Sequence, residues 1–199
     1  NITNKVLEHL REWQSRPLEQ VYFVLWIDGV SFKVRHNGKV INKTVYVVIG
    51  LSNIGYKEVL GLWINETESA AFWMNVFGDL QARGVEDVLI VCSDNLKGLT
   101  EGIQAIFPDS DNQICIVHQI RNSMRYVAWK DRKEFARDMK AIYQAPNVEA
   151  AAKSLEDLAG KWNDKYPHSI QSWRNNWQQL TVFFDYPPSI RRIIYTTNV

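Results

Sequence analysis

Two aspartates carry the chemistry that this sequence suggests first. Asp28 follows the apolar run 21–27, and Asp94 follows the apolar run 88–92. If these runs are parallel neighbouring strands, their carboxyl ends meet at the sheet edge where ligands gather. Converging carboxylates repel one another unless a cation intervenes. Two Mg²⁺ or Mn²⁺ ions about 4 Å apart suit such oxygens and can act on a phosphodiester. The alternative is that both aspartates only form turns.

Cys115 and His118 form the second candidate, spaced Cys-x-x-His at the end of a predicted strand 113–117. Structural zinc would need two more nitrogen or sulfur ligands. No matching spacing is offered by the remaining candidates, which are Cys92, His9, His36 and His168. One interpretation is a buried Cys with a His that caps the strand. The other places His118 beside the aspartates, where it could contact a scissile phosphate or help to move a proton.

Basic residues are concentrated between Ile120 and Lys140, where seven Lys and Arg side chains face three acidic ones. This segment is either a solvated helix face or a surface that contacts DNA phosphates. We predict Lys97, Arg121 and Arg125 as phosphate contacts, with exposed salt bridges as the alternative.

Trp173 and Trp177 are four residues apart, a spacing that places both on one helix face. Packing in the core is one interpretation. The other, under which Trp173 counts as a DNA-binding residue, is stacking of a flipped or unpaired base on the indole.

Alternating and helical patterns predict the elements that position these residues. A helix within 1–20 ends at Pro17, and strands follow at 21–27, 31–35, 40–51 and 57–64, with a hairpin turn at Asn37-Gly38. Next come a helix from Thr67 or Ser69 to Gly84, strand 88–92, helix 96–107 and strand 113–117. Residues 118–186 are predicted helical with breaks near Pro146 and Pro167, and the tail from Phe184 is predicted extended or turned. The fold class is α/β, with three antiparallel strands, then parallel strands, then a helical extension.

Composition narrows the class of protein. The 199 residues are 46% hydrophobic and include 12% aromatic residues, which predicts a well-packed globular chain. No apolar run reaches the length that spans a bilayer, and two cysteines make no disulfide framework, so no membrane contact and a reducing compartment are expected. The net charge of +1 says little about partners. Because the chain begins without Met, we expect a fragment.

Several motifs, in order from about residue 20 to the end, resemble the mutator-type bacterial insertion-sequence transposases. They are the strand ending in Asp28-Gly29, the segment Val91-Cys92-Ser93-Asp94-Asn95-Leu96-Lys97-Gly98-Leu99, Cys115-x-x-His118-Gln119-x-Arg121-Asn122, Trp173-x-x-Asn176-Trp177 and the ending from Ile190 to Asn198. Each motif alone is weak, but together they are highly specific.

The resemblance implies a ribonuclease H-like fold with an Asp-Asp-Glu triad, of which Asp28 and Asp94 match the first two members. It implies a linker helix at 1–20, a catalytic core at 21–118, a helical insertion at 119–186 and a return to the core at 187–199. The implied chemistry is cleavage at transposon ends, followed by transfer of the freed 3′-hydroxyl to target DNA with two Mg²⁺ or Mn²⁺ ions. The implied partners are double-stranded DNA and a second copy in a DNA-bound homodimer, at the nucleoid in the bacterial cytoplasm.

The sequence departs from the family pattern at its end. The family Glu is expected just after Tyr-Thr-Thr-Asn, but the chain stops at Val199, and neither Glu66 nor Glu101 matches it. We therefore expect this fragment to be deficient in catalysis. The family's N-terminal end-recognition domain is also not matched, apart from the helix before Pro17.

Two other functions are alternatives to this one. The segment Asp28-Gly29-Val30-Ser31-Phe32-Lys33 resembles the first phosphate loop of actin-like ATPases, but the second phosphate turn and the duplicated domain of those proteins have no match here. The other is a domesticated DNA-binding or scaffold domain that kept the fold and lost the chemistry. Retention of Asp28, Asp94 and His118 argues against that second function.

Overall fold

The computed structural model describes residues 2–36 and 38–195. Asn37 of the predicted hairpin turn and the Thr-Thr-Asn motif at 196–198 lie outside the described residues. The chain divides into two compact units, Asn1–Asn112 and Gln113–Val199. Their main elements are α1 (Ile2–Gln14), β1 (Val21–His36), β2 (Lys39–Ser52), β3 (Lys57–Asn65), α2 (Ala70–Ala82), β4 (Asp87–Ser93), α3 (Leu99–Ile106), β5 (Asp111–Ile114), α4 (Ile116–Met124), α5 (Arg132–Tyr143), α6 (Val148–Trp162), α7 (Pro167–Asn175), α8 (Trp177–Thr181) and α9 (Pro188–Tyr195).

The strands form one mixed sheet in the order β3-β2-β1-β4-β5. β1 pairs antiparallel with β2, and β2 pairs antiparallel with β3. On its other side β1 pairs in parallel with β4, the strand reached through α2. This is the predicted α/β class, with antiparallel strands first and a crossover afterwards, and the fold is ribonuclease H-like.

The first strand is longer than predicted, because β1 does not end at Asp28. The strand is continuous to His36 and pairs with β2 along its length, so 21–27 and 31–35 are one element. The alternative interpretation, that Asp28 only forms a turn, is wrong, because both Asp28 and Gly29 lie within the strand, where Gly29 pairs with Tyr46. A Cβ at Gly29 would lie 3.1 Å from the Thr44 methyl and 3.2 Å from the Tyr46 ring. Gly29 therefore makes room for side chains of the neighbouring strand.

Helices α2 and α3 cover one face of the sheet in the first unit. As predicted, Ser69 caps α2: its side chain accepts a hydrogen bond from the Phe72 amide (3.2 Å). The helical spacing of the apolar residues places four of them in the core, namely Trp73, Val76, Phe77 and Leu80. Full burial of each such side chain stabilises the fold by about 1.5–3 kcal/mol. The packing of this face fixes the crossover from β3 to β4.

The third predicted parallel strand is shorter than its sequence suggests. A strand was predicted at 113–117, but β5 ends at Ile114, and Cys115 is the N-cap of α4. Ile116, Gln119 and Ser123 recur at helical spacing and are all buried. Burial of this face outweighs the strand propensity of Ile116 and Val117. The predicted core boundary at 118 consequently falls inside α4.

The second unit is helical, as predicted, with Pro146 between α5 and α6 and Pro167 as the first residue of α7. The prediction of an extended tail is wrong, because Pro188 begins helix α9. Proline suits the first position of a helix, where its missing N–H would have no intrahelical partner. Arg191 holds this helix by donating to the Tyr186 carbonyl (2.7 Å) and to the Phe184 carbonyl (2.8 Å). In the part of the chain described, no helix is both long enough and apolar enough to cross a membrane.

Candidate active site

The register of two parallel strands positions Asp28 and Asp94. Trp26 pairs with Cys92, and Ile27 pairs with Ser93, the last residue of β4. Continuing this register by one pair sets Asp28 opposite Asp94. Past that point β1 continues as a strand paired with β2, so Asp28 lies on an extended strand where β4 gives way to a loop. The two aspartates predicted from sequence therefore follow the last residue pair of two neighbouring parallel strands, at the same end of the sheet.

Each aspartate is held by the main chain that follows it. Asp28 Oδ1 accepts a hydrogen bond from the Gly29 amide (2.8 Å). Asp94 Oδ1 accepts one from the Asn95 amide (2.9 Å) in the same way. Asp28 is exposed and Asp94 is half-buried, whereas the residues that precede them, Ile27 and Ser93, are buried. Both carboxylates thus lie where the buried sheet meets solvent.

A cluster of Tyr46, Glu68 and Lys97 ties the two aspartate-bearing segments together. The Tyr46 hydroxyl donates to Glu68 Oε1 (3.1 Å), and the Lys97 main-chain amide donates to Glu68 Oε2 (2.9 Å). Tyr46 pairs with Gly29, directly after Asp28, whereas Lys97 lies in the loop directly after Asp94. Glu68 therefore links the strand beside one aspartate to the loop of the other. Glu68 was not predicted as a site residue, because nothing in its local sequence shows which backbone amide donates to its carboxylate.

Burial of the Tyr46 phenol, reinforced by the negative charge of Glu68, raises the pKa of Tyr46 to about 12. The hydroxyl therefore stays protonated at neutral pH and remains a donor to Glu68. The Trp73 indole completes the support, since its Nε1–H donates to the Lys97 carbonyl (3.2 Å). The Lys97 amide is thus bound by Glu68 and its carbonyl by Trp73. The Lys97 side chain itself is exposed.

Glu68→Ala should loosen the loop that carries Asp94. The substitution removes two hydrogen bonds to a charged acceptor, and we expect about 1–2 kcal/mol of lost stability because the site is partly open to solvent. Amide hydrogen exchange at Lys97 should accelerate at least about fivefold. Exchange followed by NMR, beside urea unfolding, measures both effects.

Two variants act as controls for that test. Glu66→Ala removes a nearby carboxylate whose contact is an ion pair with Lys43 at 3.7 Å, and it should leave Lys97 exchange unchanged. Glu68→Gln keeps one acceptor oxygen and should give an intermediate rate. Unchanged Lys97 exchange in Glu68→Ala would show that Glu68 does not position the loop.

The donor chemistry of Asp28 and Asp94 fits a hard divalent cation. Both offer carboxylate oxygens, the ligand type that Mg²⁺ and Mn²⁺ prefer. Across the described ranges, no group of three His, Cys, Asp or Glu side chains forms a metal site. Asp28 and Asp94 would therefore supply only part of the ligands that a metal ion needs. The two-metal site remains a prediction.

Helix α4 gathers three of the other predicted residues on one stripe. His118, Arg121 and Arg125 recur at intervals of three, four and seven, the spacing of a single helix face. Arg121 and Arg125 are exposed, and His118 is half-buried. His118 lies in the first turn of the helix and not at a strand end, which corrects the capping interpretation. Contact of this stripe with phosphate stays a prediction.

The opposite face of α4 explains the other motif residues. The Trp173 indole Nε1–H donates to Ser123 Oγ (3.0 Å), and Ser123 Oγ–H donates to the Gln119 carbonyl (2.8 Å). Gln119 Nε2 in turn donates to Ser172 Oγ (2.9 Å), and Asn176 Nδ2 donates to Gln119 Oε1 (3.4 Å). These bonds join α4 to α7 in a buried polar network.

Trp173 is therefore a core residue and not a base-stacking platform. It is 1% exposed, and its only polar atom is used by Ser123. A nucleobase has no access to its ring faces in this structure. The i, i+4 pattern of tryptophans reports helix packing here, which corrects the assignment of Trp173 to DNA binding.

Cys92 and Cys115 are both buried, and neither forms a disulfide. Cys92 lies within β4 and Cys115 at the start of α4, so each fills a packed position at the end of a strand. A small apolar side chain is sufficient for that role. The Cys-x-x-His spacing thus combines a packing Cys with a half-buried His in the first turn of α4.

Comparison with known proteins agrees with these motifs along the whole chain. A family model described as "Transposase, Mutator family" matches residues 1–199. The chain is 48% identical over 198 residues to a probable transposase for an ISRM3-like insertion sequence element of Sinorhizobium fredii, covering 99% of this chain and 50% of that protein. It is also 48% identical over 198 residues to the transposase for insertion sequence element ISRM3 of Rhizobium meliloti, with the same coverage.

A probable insertion-sequence transposase of Corynebacterium diphtheriae is 42% identical, over 99% of this chain and 58% of that protein. The chain thus spans about half the length of the curated relatives it matches. A solved simian T-cell lymphotropic virus intasome in complex with a PP2A regulatory subunit gives a TM-score of 0.34 at 10% identity, over 87% of this chain and 58% of that one. Because this likeness is low, the fold assignment rests on the strand order of the sheet. By the match to the family model along its whole length, the chain belongs to the Mutator family of transposases.

Proposed function

We propose that this chain is the part of an insertion-sequence transposase that carries the first two catalytic carboxylates, Asp28 and Asp94. The reaction is divalent-metal-dependent cleavage of DNA at the element's ends, followed by transfer of the freed 3′-hydroxyl to target DNA. The observation that supports the proposal is the parallel register of β1 and β4, in which Ile27 pairs with Ser93 directly before the two aspartates, in a chain of this family.

Asp28 and Asp94 would hold Mg²⁺ or Mn²⁺ through their carboxylate oxygens. Such ions supply charge stabilisation at the phosphate and lower the pKa of a coordinated water. The protein's contribution is to hold two like charges close together, and the rigidity of the β1–β4 pair achieves this. Glu68 keeps the Asp94 loop in register with the strand that bears Asp28. A third carboxylate, the family Glu, is expected beyond Asn198.

DNA phosphates are the proposed ligands of the exposed basic side chains. Lys97 lies three residues after Asp94, and Arg121 and Arg125 share the exposed stripe of α4 with His118. Contacts of this kind position a duplex without reading its sequence. We propose that His118 contacts the scissile phosphate or moves a proton, that the active form is a DNA-bound homodimer, and that it works at the nucleoid in the bacterial cytoplasm.

A nicking assay tests the proposed function. A full-length transposase that contains these 199 residues is incubated with a labelled transposon-end duplex and Mg²⁺ or Mn²⁺. We expect strand cleavage that leaves a 3′-hydroxyl at the element end. Treatment with a chelator should abolish cleavage, and added Mn²⁺ should restore it. Cleavage that persists after chelation would contradict the proposal.

The matched DNA control has the same length and base composition with a scrambled end sequence. Specific cleavage of the element end, with little on the scrambled duplex, separates transposase activity from a contaminating nuclease. Equal cleavage of both duplexes at many positions would count against the proposed function.

A further inference from the structure

Trp129 has an environment that buried packing does not explain. It is 85% exposed, more than any other large apolar side chain of the described residues. Tryptophan contributes the largest apolar area of any side chain, so leaving it in water forgoes about 1.5–3 kcal/mol of burial. Tryptophan and arginine are enriched in interaction surfaces relative to the rest of the protein surface.

The turn that displays Trp129 is anchored on both sides. Val127 is buried, and the Ala128 amide donates to the Tyr166 hydroxyl (3.2 Å). Arg132 Nε donates to the Val127 carbonyl (3.1 Å), which places its guanidinium 5.7 Å from the centre of the Trp129 ring. The exposure is therefore a feature of a fixed turn, and the indole is preorganised to receive a ligand.

The acidic residues near Trp129 are paired with basic side chains from elsewhere in the second unit. The acidic residues of this segment are engaged by basic side chains of α6 and the turn after it: Lys165 contacts Asp131, and Lys161 contacts both Glu134 and Asp138 (2.6 Å each). The Tyr166 hydroxyl also donates to Asp131. These pairs remove negative charge from the surface that carries Trp129.

Three exposed cations remain close to Trp129 in the chain, namely Arg125, Lys130 and Lys133. Over residues 2–36 and 38–195, none of the three makes a salt bridge. Arg132 adds a fourth positive charge directly at the indole. The exposed residues Arg125, Trp129, Lys130, Arg132 and Lys133, named here the Trp129 surface, lie within nine residues of one another and combine an exposed indole with an excess of positive charge.

We propose that the Trp129 surface binds an unpaired DNA nucleotide, with the base stacked on the indole and its phosphates on the surrounding cations. Base stacking on aromatic side chains together with a cationic track is how proteins bind single strands without reading sequence. A protein partner would have to present an acidic or an apolar surface to Trp129. The exposed cations favour a polyanion over an apolar surface. The proposal rests on the proposed function, because staggered strand cleavage and strand transfer leave unpaired nucleotides beside an element end.

The test compares two labelled DNA probes in fluorescence anisotropy with the 199-residue chain. One probe is a blunt duplex, and the other is the same duplex with a short unpaired thymidine overhang. We expect Trp129→Ala to weaken overhang binding about tenfold, because loss of one stacked base costs about 1–3 kcal/mol. Binding of the blunt duplex should change less than about twofold.

Matched variants separate stacking from other effects. Trp129→Phe keeps an aromatic face and should retain overhang binding within about threefold. Tyr56→Ala removes an aromatic side chain that is 71% exposed in the first unit, and it should leave both probes unaffected. The double variant Lys130→Ala, Lys133→Ala should weaken both probes and reduce the salt dependence of binding.

The outcomes distinguish this proposal from the proposed function. Equal loss of both probes in Trp129→Ala, or no loss of either, overturns the Trp129 proposal and leaves the function standing. A wild-type chain that binds neither probe overturns the Trp129 proposal, whereas the proposed function is tested separately by the nicking assay with the full-length transposase. If sedimentation shows a wild-type dimer that Trp129→Ala converts to a monomer, a second copy covers the indole and the nucleotide proposal is wrong.

Discussion

Asp28→Asn and Asp94→Asn should each abolish strand cleavage by a full-length transposase that contains this chain. Asparagine is nearly isosteric but uncharged, so it removes a metal-binding carboxylate without changing the packing around it. Loss of several kcal/mol of transition-state stabilisation corresponds to a decrease of about 1,000-fold or more in rate. The rate is measured with the labelled element-end duplex in Mn²⁺.

Both variants should fold normally. Each aspartate lies at the solvent boundary and accepts a hydrogen bond from the adjacent amide, and the side-chain oxygen of an Asn can accept the same bond. Melting temperatures within about 2 °C of wild type are therefore expected. Asp109→Asn is the matched control, since it removes an exposed carboxylate of the same unit away from the site and should leave cleavage intact. Cleavage within tenfold of wild type in either variant would refute the assignment of that aspartate.

Gly98→Ala should strongly destabilise the first unit. Gly98 has φ +78°, a left-handed conformation in which an alanine costs about 1–2 kcal/mol. A Cβ would also lie 2.2 Å from the Ala70 amide nitrogen and 2.6 Å from the Ser69 carbonyl carbon, both of them backbone atoms. Neither can move without disturbing the N-terminus of α2, so we expect a total loss of at least about 3 kcal/mol.

The matched control for Gly98→Ala is Gly78→Ala, within α2. A Cβ at Gly78 meets nothing within 4 Å, and alanine favours a helix, so this change should be neutral or stabilising by about 0.5–1 kcal/mol. Urea unfolding of both variants gives the difference directly. Because Gly98 closes the loop that follows Asp94, a folded remnant of Gly98→Ala should also show faster exchange at the Lys97 amide. A Gly98→Ala protein as stable as wild type would mean that this close approach of loop and helix is not maintained in solution.

Local patterns were sufficient to predict several elements of this fold. The apolar spacing of Trp73, Val76, Phe77 and Leu80 identified α2, and the buried runs beside Asp28 and Asp94 identified the two strands that carry the site. These features depend on the periodicity of side chains along one element. For the same reason the parallel placement of the two aspartates could be anticipated, since a crossover helix between two buried strands leaves few topologies.

The tertiary structure decided what each polar or aromatic motif residue does. Trp173 had two interpretations until the buried network with Ser123 and Gln119 showed that its indole lies in the core. Trp129, by contrast, was just one residue in a basic segment, and its exposure emerged from the anchored turn that displays it. Sequence spacing tells which residues share a helix face, but burial depends on which neighbour covers that face.

The same limit applies around the aspartates. By itself the sequence determined the fold class, the family resemblance and the two carboxylates, because these follow from patterns local to each element or from ordered motifs. Only the tertiary structure showed that β1 runs through Gly29, that a helix begins after Cys115, and that Glu68 joins Tyr46 to Lys97. Those three features depend on contacts between residues far apart in the chain. A local sequence pattern does not show how strongly such contacts stabilise one local structure over another.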